Sequence, residues 1–114
     1  MEINELLANR VRALIAAKEN NIEEKKMFSG LAFMVNDKLC VAVSKDRLLV
    51  RLDPQIYEQA LDENGARPMV HSGREMKGYV FVDDTELTTQ KKLEHWVNRA
   101  LAFNKVAKAS KKKK

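Results

Sequence analysis

Along "INELLANRVRALIAA", residues 3–17, the apolar positions Ile3, Leu6, Leu7, Val11, Leu14 and Ile15 recur at helical spacing, with Asn4, Arg10 and Arg12 off the stripe. That pattern predicts an amphipathic helix with one buried face. The polar "KENNIEEKK" that follows reads as a connector. Within "MFSGLAFMVNDKLCVAVSKDRLLVRL", residues 27–52, the period drops from 3.6 to 2, which predicts strands at Leu31–Val35, Leu39–Val43 and Leu48–Leu52. A three-residue "NDK" loop and a two-residue Lys45-Asp46 turn place Leu31, Phe33, Val35, Leu39, Val41, Val43, Leu48, Val50 and Leu52 on one face. A two-residue Asn36-Asp37 turn would set Val35 opposite Lys38 and mix the faces of the first pair, so the segregated register is preferred. In it, Cys40 faces away from the main core with Ala32, Met34, Ala42, Ser44, Arg47, Leu49 and Arg51, and Arg51 is its cross-strand neighbour.

Further along, Asp53 can cap a helix with Pro54 in its first position, ending near Asn64-Gly65, with Ile56, Tyr57, Ala60 and Leu61 as its apolar side. Strands are expected at Met69–His71 and Tyr79–Val82 around a Ser72-Gly73 turn. From a cap at Thr85, a last helix carries Leu93, Trp96, Val97, Ala100 and Leu101 at i, i+3, i+4. The order α-β-β-β-α-β-β-α implies a two-layer α+β fold: an antiparallel sheet of about five strands with helices on one face. The second face, with Ala32, Met34, Cys40, Ala42, Leu49 and Arg51, then lacks an obvious cover and is a candidate interface for a partner or a second copy.

Composition adds limits. The 114 residues fit one domain, and 45% hydrophobic with 32% charged residues is a globular balance. A single cysteine forms no internal disulfide, and "MEINELLANR" has no basic segment leading into an apolar one, so a reducing cytoplasm is the expected compartment. No apolar run reaches the ~20 residues that a membrane-spanning helix needs. The net charge of +5 sits at one end: six of the 21 basic residues are Lys105, Lys108, Lys111, Lys112, Lys113 and Lys114, leaving 15 against 16 acidic in residues 1–104. Residues 1–104 are therefore expected as one domain, and 105–114 as a disordered tail that is a solubilising end, a weak polyanion hook, or both.

The run "KKMFSGLAFMVNDKLCVAVSKDRLLVRLDP", followed by "ARPM", "GREMKGYVFV" and "LEHWVNRALAFNKVAKASKKKK", resembles the N-terminal domain of the TfoX/Sxy competence regulators, above all its small stand-alone relatives. The resemblance covers roughly residues 10–114. It implies a two-layer α+β fold related to YgaC-like and secretion-chaperone-like domains, and a non-enzymatic regulatory role. It carries over no catalytic residues. The chain stops at Lys114 without the second domain of the regulators, and it has Asp37 and Ser29 where the family often has glycine.

Candidate chemistry is sparse. Cys40, His71 and His95 are too scattered for a metal site, no "GxSxG" elbow or phosphate-binding loop appears, and no cofactor is expected. Arg67, His71, Arg74 and Lys77, among Gly65, Gly73 and Gly78, could cradle an anion or meet a partner, or simply belong to an exposed hairpin. Trp96 and Phe103 read as core and helix-end packing, since RNA readers present aromatics on an open sheet. The leading expectation is a regulatory or adaptor domain acting through a protein partner or a homodimer. A weak, sequence-independent nucleic-acid contact through the lysine tail is the alternative, and thiol chemistry at Cys40 a second one.

Overall fold

The computed structural model describes residues 3–27 and 30–107. Helix α1 (Glu5–Ala16) starts where Asn4 Oδ1 accepts a hydrogen bond from the Leu7 N–H at 2.9 Å, which satisfies one of the amides left open at a helix start. Next come β1 (Ile22–Met27), β2 (Gly30–Val35), β3 (Lys38–Val43) and β4 (Arg47–Arg51). A 3-10 turn at Pro54–Ile56, capped by Asp53, runs into the short α2 (Tyr57–Leu61). The hairpin β5 (Ala66–His71) and β6 (Arg74–Asp83) follows, then α3 (Gln90–Asn104). All pairings are antiparallel, in the order β1-β2-β3-β4-β6-β5.

The α+β architecture expected from the pattern is present, with one strand more than expected. Residues 22–26, read as part of a polar connector, form edge strand β1 together with Met27 and pair with β2. A period-2 search for apolar positions passes over "IEEKKM", because an edge strand can be charged and gains by it: charge blunts further pairing. Arg12 of α1 grips Glu24 of β1 through two nitrogens, Nη2 to Oε1 at 2.8 Å among them, and so fastens the edge to the helical layer.

The β2–β3 hairpin combines both registers. Asn36 and Asp37 have φ of 54° and 67°, the signature of a two-residue type I′ turn, and Val35 does lie opposite Lys38. The faces stay sorted because a β-bulge intervenes: Met34 pairs with Leu39 and Phe33 with Val41, leaving Cys40 as the extra residue. The expected Leu31–Val43 and Phe33–Val41 pairs are kept, while Leu39 and Cys40 exchange faces. Cys40 belongs to the main core and Leu39 to the cluster on the opposite side. The β3–β4 ladder follows the expected Lys45-Asp46 register, with Val41–Val50 and Val43–Leu48. On its β6 side Arg51 stands across from Tyr79, and its charge still reaches Cys40.

The main core lies between the sheet and all three helices. Leu7, Ala8, Val11 and Ile15 enter from α1, Tyr57 and Ala60 from α2, and Leu93, Trp96, Val97, Ala100 and Leu101 from α3. They meet Phe33, Val35, Val41, Val43, Leu48, Val50, Val80 and Val82 of the sheet, and Leu52 just past β4. Helix α3 begins four residues later than expected. Its cap is Thr89, whose Oγ1 accepts from the Lys92 N–H at 3.2 Å, while Thr85 sits in a 3-10 turn at Asp84–Glu86. At its other end the buried Asn104 clamps the β2–β3 turn: its Nδ2 donates to Val35 O at 3.1 Å and its carbonyl accepts from Lys38 Nζ at 2.6 Å.

Candidate functional site: the helix-free face and the β5–β6 hairpin

Cys40 is a core residue, 0% exposed, and burial pushes its thiol up to about 12. The charge of Glu19 adds to the effect and that of Arg51 opposes it. A buried, protonated thiol is a small apolar side chain at neutral pH. The bulge that swings it inward removes Cys40 from the proposed interface.

The second sheet face has its own cluster: Ala32, Met34, Leu39, Ala42, Leu49 and Met69, with Met76, Tyr79 and Phe81 packed against them. Of the residues expected there, Ala32, Met34, Ala42 and Leu49 are present and all are buried, which corrects the picture of an uncovered apolar surface. The alanines are small and lie beneath their larger neighbours. What this face offers outward is a polar and aromatic layer. Tyr79 and Phe81 stand two residues apart on β6, half-buried, and the exposed Arg47 lies with its guanidinium 3.8 Å from the centre of the Phe81 ring. Arg51, at the end of β4, lies 5.8 Å from the Tyr79 ring and 5.5 Å from that of Phe103 on α3. Its Nη1 is buried without a hydrogen-bond partner among the described residues.

The basic residues of the hairpin do not converge. Arg67 pairs with Asp83 at 2.9 Å, and the hydrogen bond to that carboxylate raises its pKa. Arg74 lies opposite His71, four residues along β5 from Arg67, a separation of about 13 Å along a strand. Lys77 is exposed beside Gly78, whose φ of +91° marks the irregular stretch between the two halves of the β5–β6 ladder. The side chain of His71 and the lysines at 108 and 111–114 lie outside the described residues; Lys105 is exposed just past α3. The tip itself is a two-residue turn, Ser72 and Gly73 with φ of 55° and 78°. Next to it stands Val70, 60% exposed and thus one of the few large apolar side chains facing water. The root of the hairpin is anchored, because the buried Tyr57 of α2 donates from Oη to Glu75 Oε2 at 2.6 Å. Burial and that carboxylate raise the Tyr57 pKa.

One arrangement has no counterpart in the expectations. An open cleft of about 600 Å³ between the α2–β5 turn and α3 is lined by Glu63, Asn64, Glu86, Lys92, His95 and Trp96 among others. Glu63 accepts from Arg99 at 2.6 Å and contacts His95 Nε2 at 2.8 Å. Burial alone would push its carboxyl up, and the hydrogen bonds from His95 and Arg99 more than reverse this, holding it below the usual value. Gly65, at φ +79°, makes the turn possible, since a Cβ there would run into Glu86. The sequence signal was weak: His95 and Arg99 are an i, i+4 pair, but Glu63 is 32 residues away from His95.

Among the described residues no group of three or more His, Cys, Asp or Glu is arranged to hold a metal ion, and no helix is long and apolar enough to cross a membrane. What stands out is a small two-layer α+β domain with two prepared surfaces, an arginine-and-aromatic sheet face and an anchored hairpin. The family model for the TfoX N-terminal domain matches residues 14–104, so the chain belongs to that family. Comparison with curated proteins and with solved structures gives no match.

Proposed function

We propose that this chain is a non-enzymatic, cytoplasmic regulatory domain that works by docking a protein partner on the β5–β6 hairpin. The observation that carries this reading is the exposed Val70, across from Glu75 near the tip of a hairpin that also exposes Arg74 and Lys77 and is held to the body by the Tyr57–Glu75 bond. An exposed apolar side chain on a hairpin that carries charged groups on both faces is an anchor with a charged rim, and a pre-positioned hairpin loses little entropy on binding. Membership of the TfoX N-terminal domain family is consistent with a regulatory role, like that of the competence regulators whose N-terminal domain the sequence resembles. The partner is then a second protein with an acidic patch, or another copy of this chain.

The test is cross-linking with mass spectrometry on the full chain in its native cells, beside Val70→Asp and Arg74→Glu/Lys77→Glu variants. One protein, or the chain itself, should be recovered with the native hairpin and lost with both variants while circular dichroism stays unchanged. Equal recovery by all three chains would exclude the hairpin as the docking element.

A further inference from the structure

We infer that the helix-free sheet face is a binding site for single-stranded nucleic acid, read through Tyr79 and Phe81 and the arginines beside them. This goes beyond the protein contact at the hairpin and does not depend on it. Tyr79 and Phe81 project to the same side of β6, opposite Arg51 and Leu49, while Val80 and Val82 between and beyond them fill the main core. Two residues of strand set the rings about 6.6 Å apart, roughly twice the ~3.4 Å repeat of a stacked strand. They therefore suit bases that have come apart, as in an extended single strand, and not the closed stack of a duplex. Sequence-tolerant single-strand binding uses this combination, flat rings in a basic groove.

Charge supports the same occupant. Residues 1–104 are near neutral as a whole, but the cations are not evenly spread. Lys25 pairs across from Ala32 and so shares this face; Arg47 and Arg67 flank Phe81 on its two neighbouring strands, and Arg51 lies across from Tyr79. Among the described residues, the acidic groups that strand pairing places on the face are Glu23, across from Met34, and Asp83, which Arg67 already neutralises. The surplus is positive, as a phosphate backbone requires. The guanidinium of Arg47, 3.8 Å from the Phe81 ring, either offers its own plane for a base to stack on or swings to a phosphate and frees the ring.

The experiment is fluorescence anisotropy of a short labelled oligouridine and of an RNA duplex of equal length, over a salt series, with the full chain. Beside it stand Arg47→Ala/Tyr79→Ala, Tyr79→Phe, and a chain with Lys105, Lys108 and Lys111–Lys114 changed to Gln. The native chain should prefer the single strand. The double variant should bind about tenfold or more weakly, as expected for loss of a stacking ring and a phosphate contact. Tyr79→Phe, which keeps the ring, should lose far less affinity than the double variant, and unchanged circular dichroism of the double variant separates loss of stacking from misfolding. The tail variant should keep the single-strand preference at reduced overall affinity. Four outcomes would overturn the inference: no binding, equal binding to duplex, a preference that survives Arg47→Ala/Tyr79→Ala, or a preference that disappears with the tail lysines alone. A protein partner that loses affinity for the double variant while oligouridine does not would reassign the face to protein.

Discussion

The two faces of the sheet follow different rules. Toward the helices it presents Phe33, Val35, Val41, Val43, Leu48, Val50, Val80 and Val82, none of them exposed. Away from the helices it presents alanines and methionines under a layer of Tyr79, Phe81 and Arg47, with Arg51 at the end of β4 between Tyr79 and Phe103 of α3. The first face is filled to exclude water and gives the domain its stability. The second has sealed its floor with small and flexible side chains and kept rings and charges at its surface, where they are available to a ligand. Stability and recognition are thus assigned to opposite sides of the same strands, and strand alternation keeps them apart.

Leu48 and Leu49 are the sharpest probe of that division, being the same residue type, adjacent on β4 and both buried, but facing opposite ways. Leu48→Ala opens a cavity under the helices, and chemical denaturation should show a loss toward the top of the roughly 2–5 kcal/mol range for such truncations. Leu49→Ala should fall at the bottom of that range, about 2 kcal/mol, because the smaller cluster can close over the gap from the solvent side. Equal losses would make the second face a second core and remove the distinction.

Next in size come two polar details of the helix-covered side. Asn104→Ala strips the amide that satisfies Val35 O within the core, and should lower stability by about 1–3 kcal/mol. Cys40→Ser places a hydroxyl in the apolar bulge, for a similar loss of about 1–3 kcal/mol. With the thiol pushed up to about 12, iodoacetamide should label the native chain only as fast as it opens, and the denatured chain at once. Fast labelling of native protein at neutral pH would return Cys40 to the surface and reopen the question of thiol chemistry.

On the other side the effect should be small. Arg47→Ala should shift stability by less than about 1 kcal/mol, the scale of an exposed cation–ring contact, while it weakens oligouridine binding. A large destabilisation would mean that Arg47 is part of the packing and not a group held for a ligand.

Much of this division was legible in the chain. The apolar period gave α1, the three strands of residues 31–52 and the buried stripe of α3, because each buries one face and so writes its period into the sequence. The "YVFV" of β6 carries the same alternation, with its aromatics on one face and its valines on the other. Three features were hidden for physical reasons. An edge strand need not be apolar, so β1 resembled a connector. A bulge reverses alternation within one residue, so Leu39 and Cys40 exchanged sides while the pairs around them held. The Glu63–His95–Arg99 contact joins segments 32 residues and more apart, which no local pattern encodes.

The smallest expected effect concerns the rims of the helix-covered face, where acid should act before it reaches the arginine face. Glu24 is held below its ordinary value of 4.5 by the hydrogen bond from Arg12, which overcomes burial, and Glu63 is held low by His95 and Arg99. A carboxyl whose pKa is lower folded than unfolded contributes stability that is complete above the unfolded value and is lost as pH falls through the folded one. Both are partly exposed, so the loss is modest. Tm should therefore be level near neutral pH and decline from about pH 4.5 downward. The acid limb should be shallower in a Glu24→Gln/Glu63→Gln variant, which starts less stable at neutral pH and has less to lose. Hydrogen exchange in acid should loosen β1 and the α2–β5 turn, which these carboxylates tie to α1 and α3, ahead of β3 and β4. An acid limb of the same slope in the double variant, or early opening of the central strands, would show that the rims do not hold the helical layer in place.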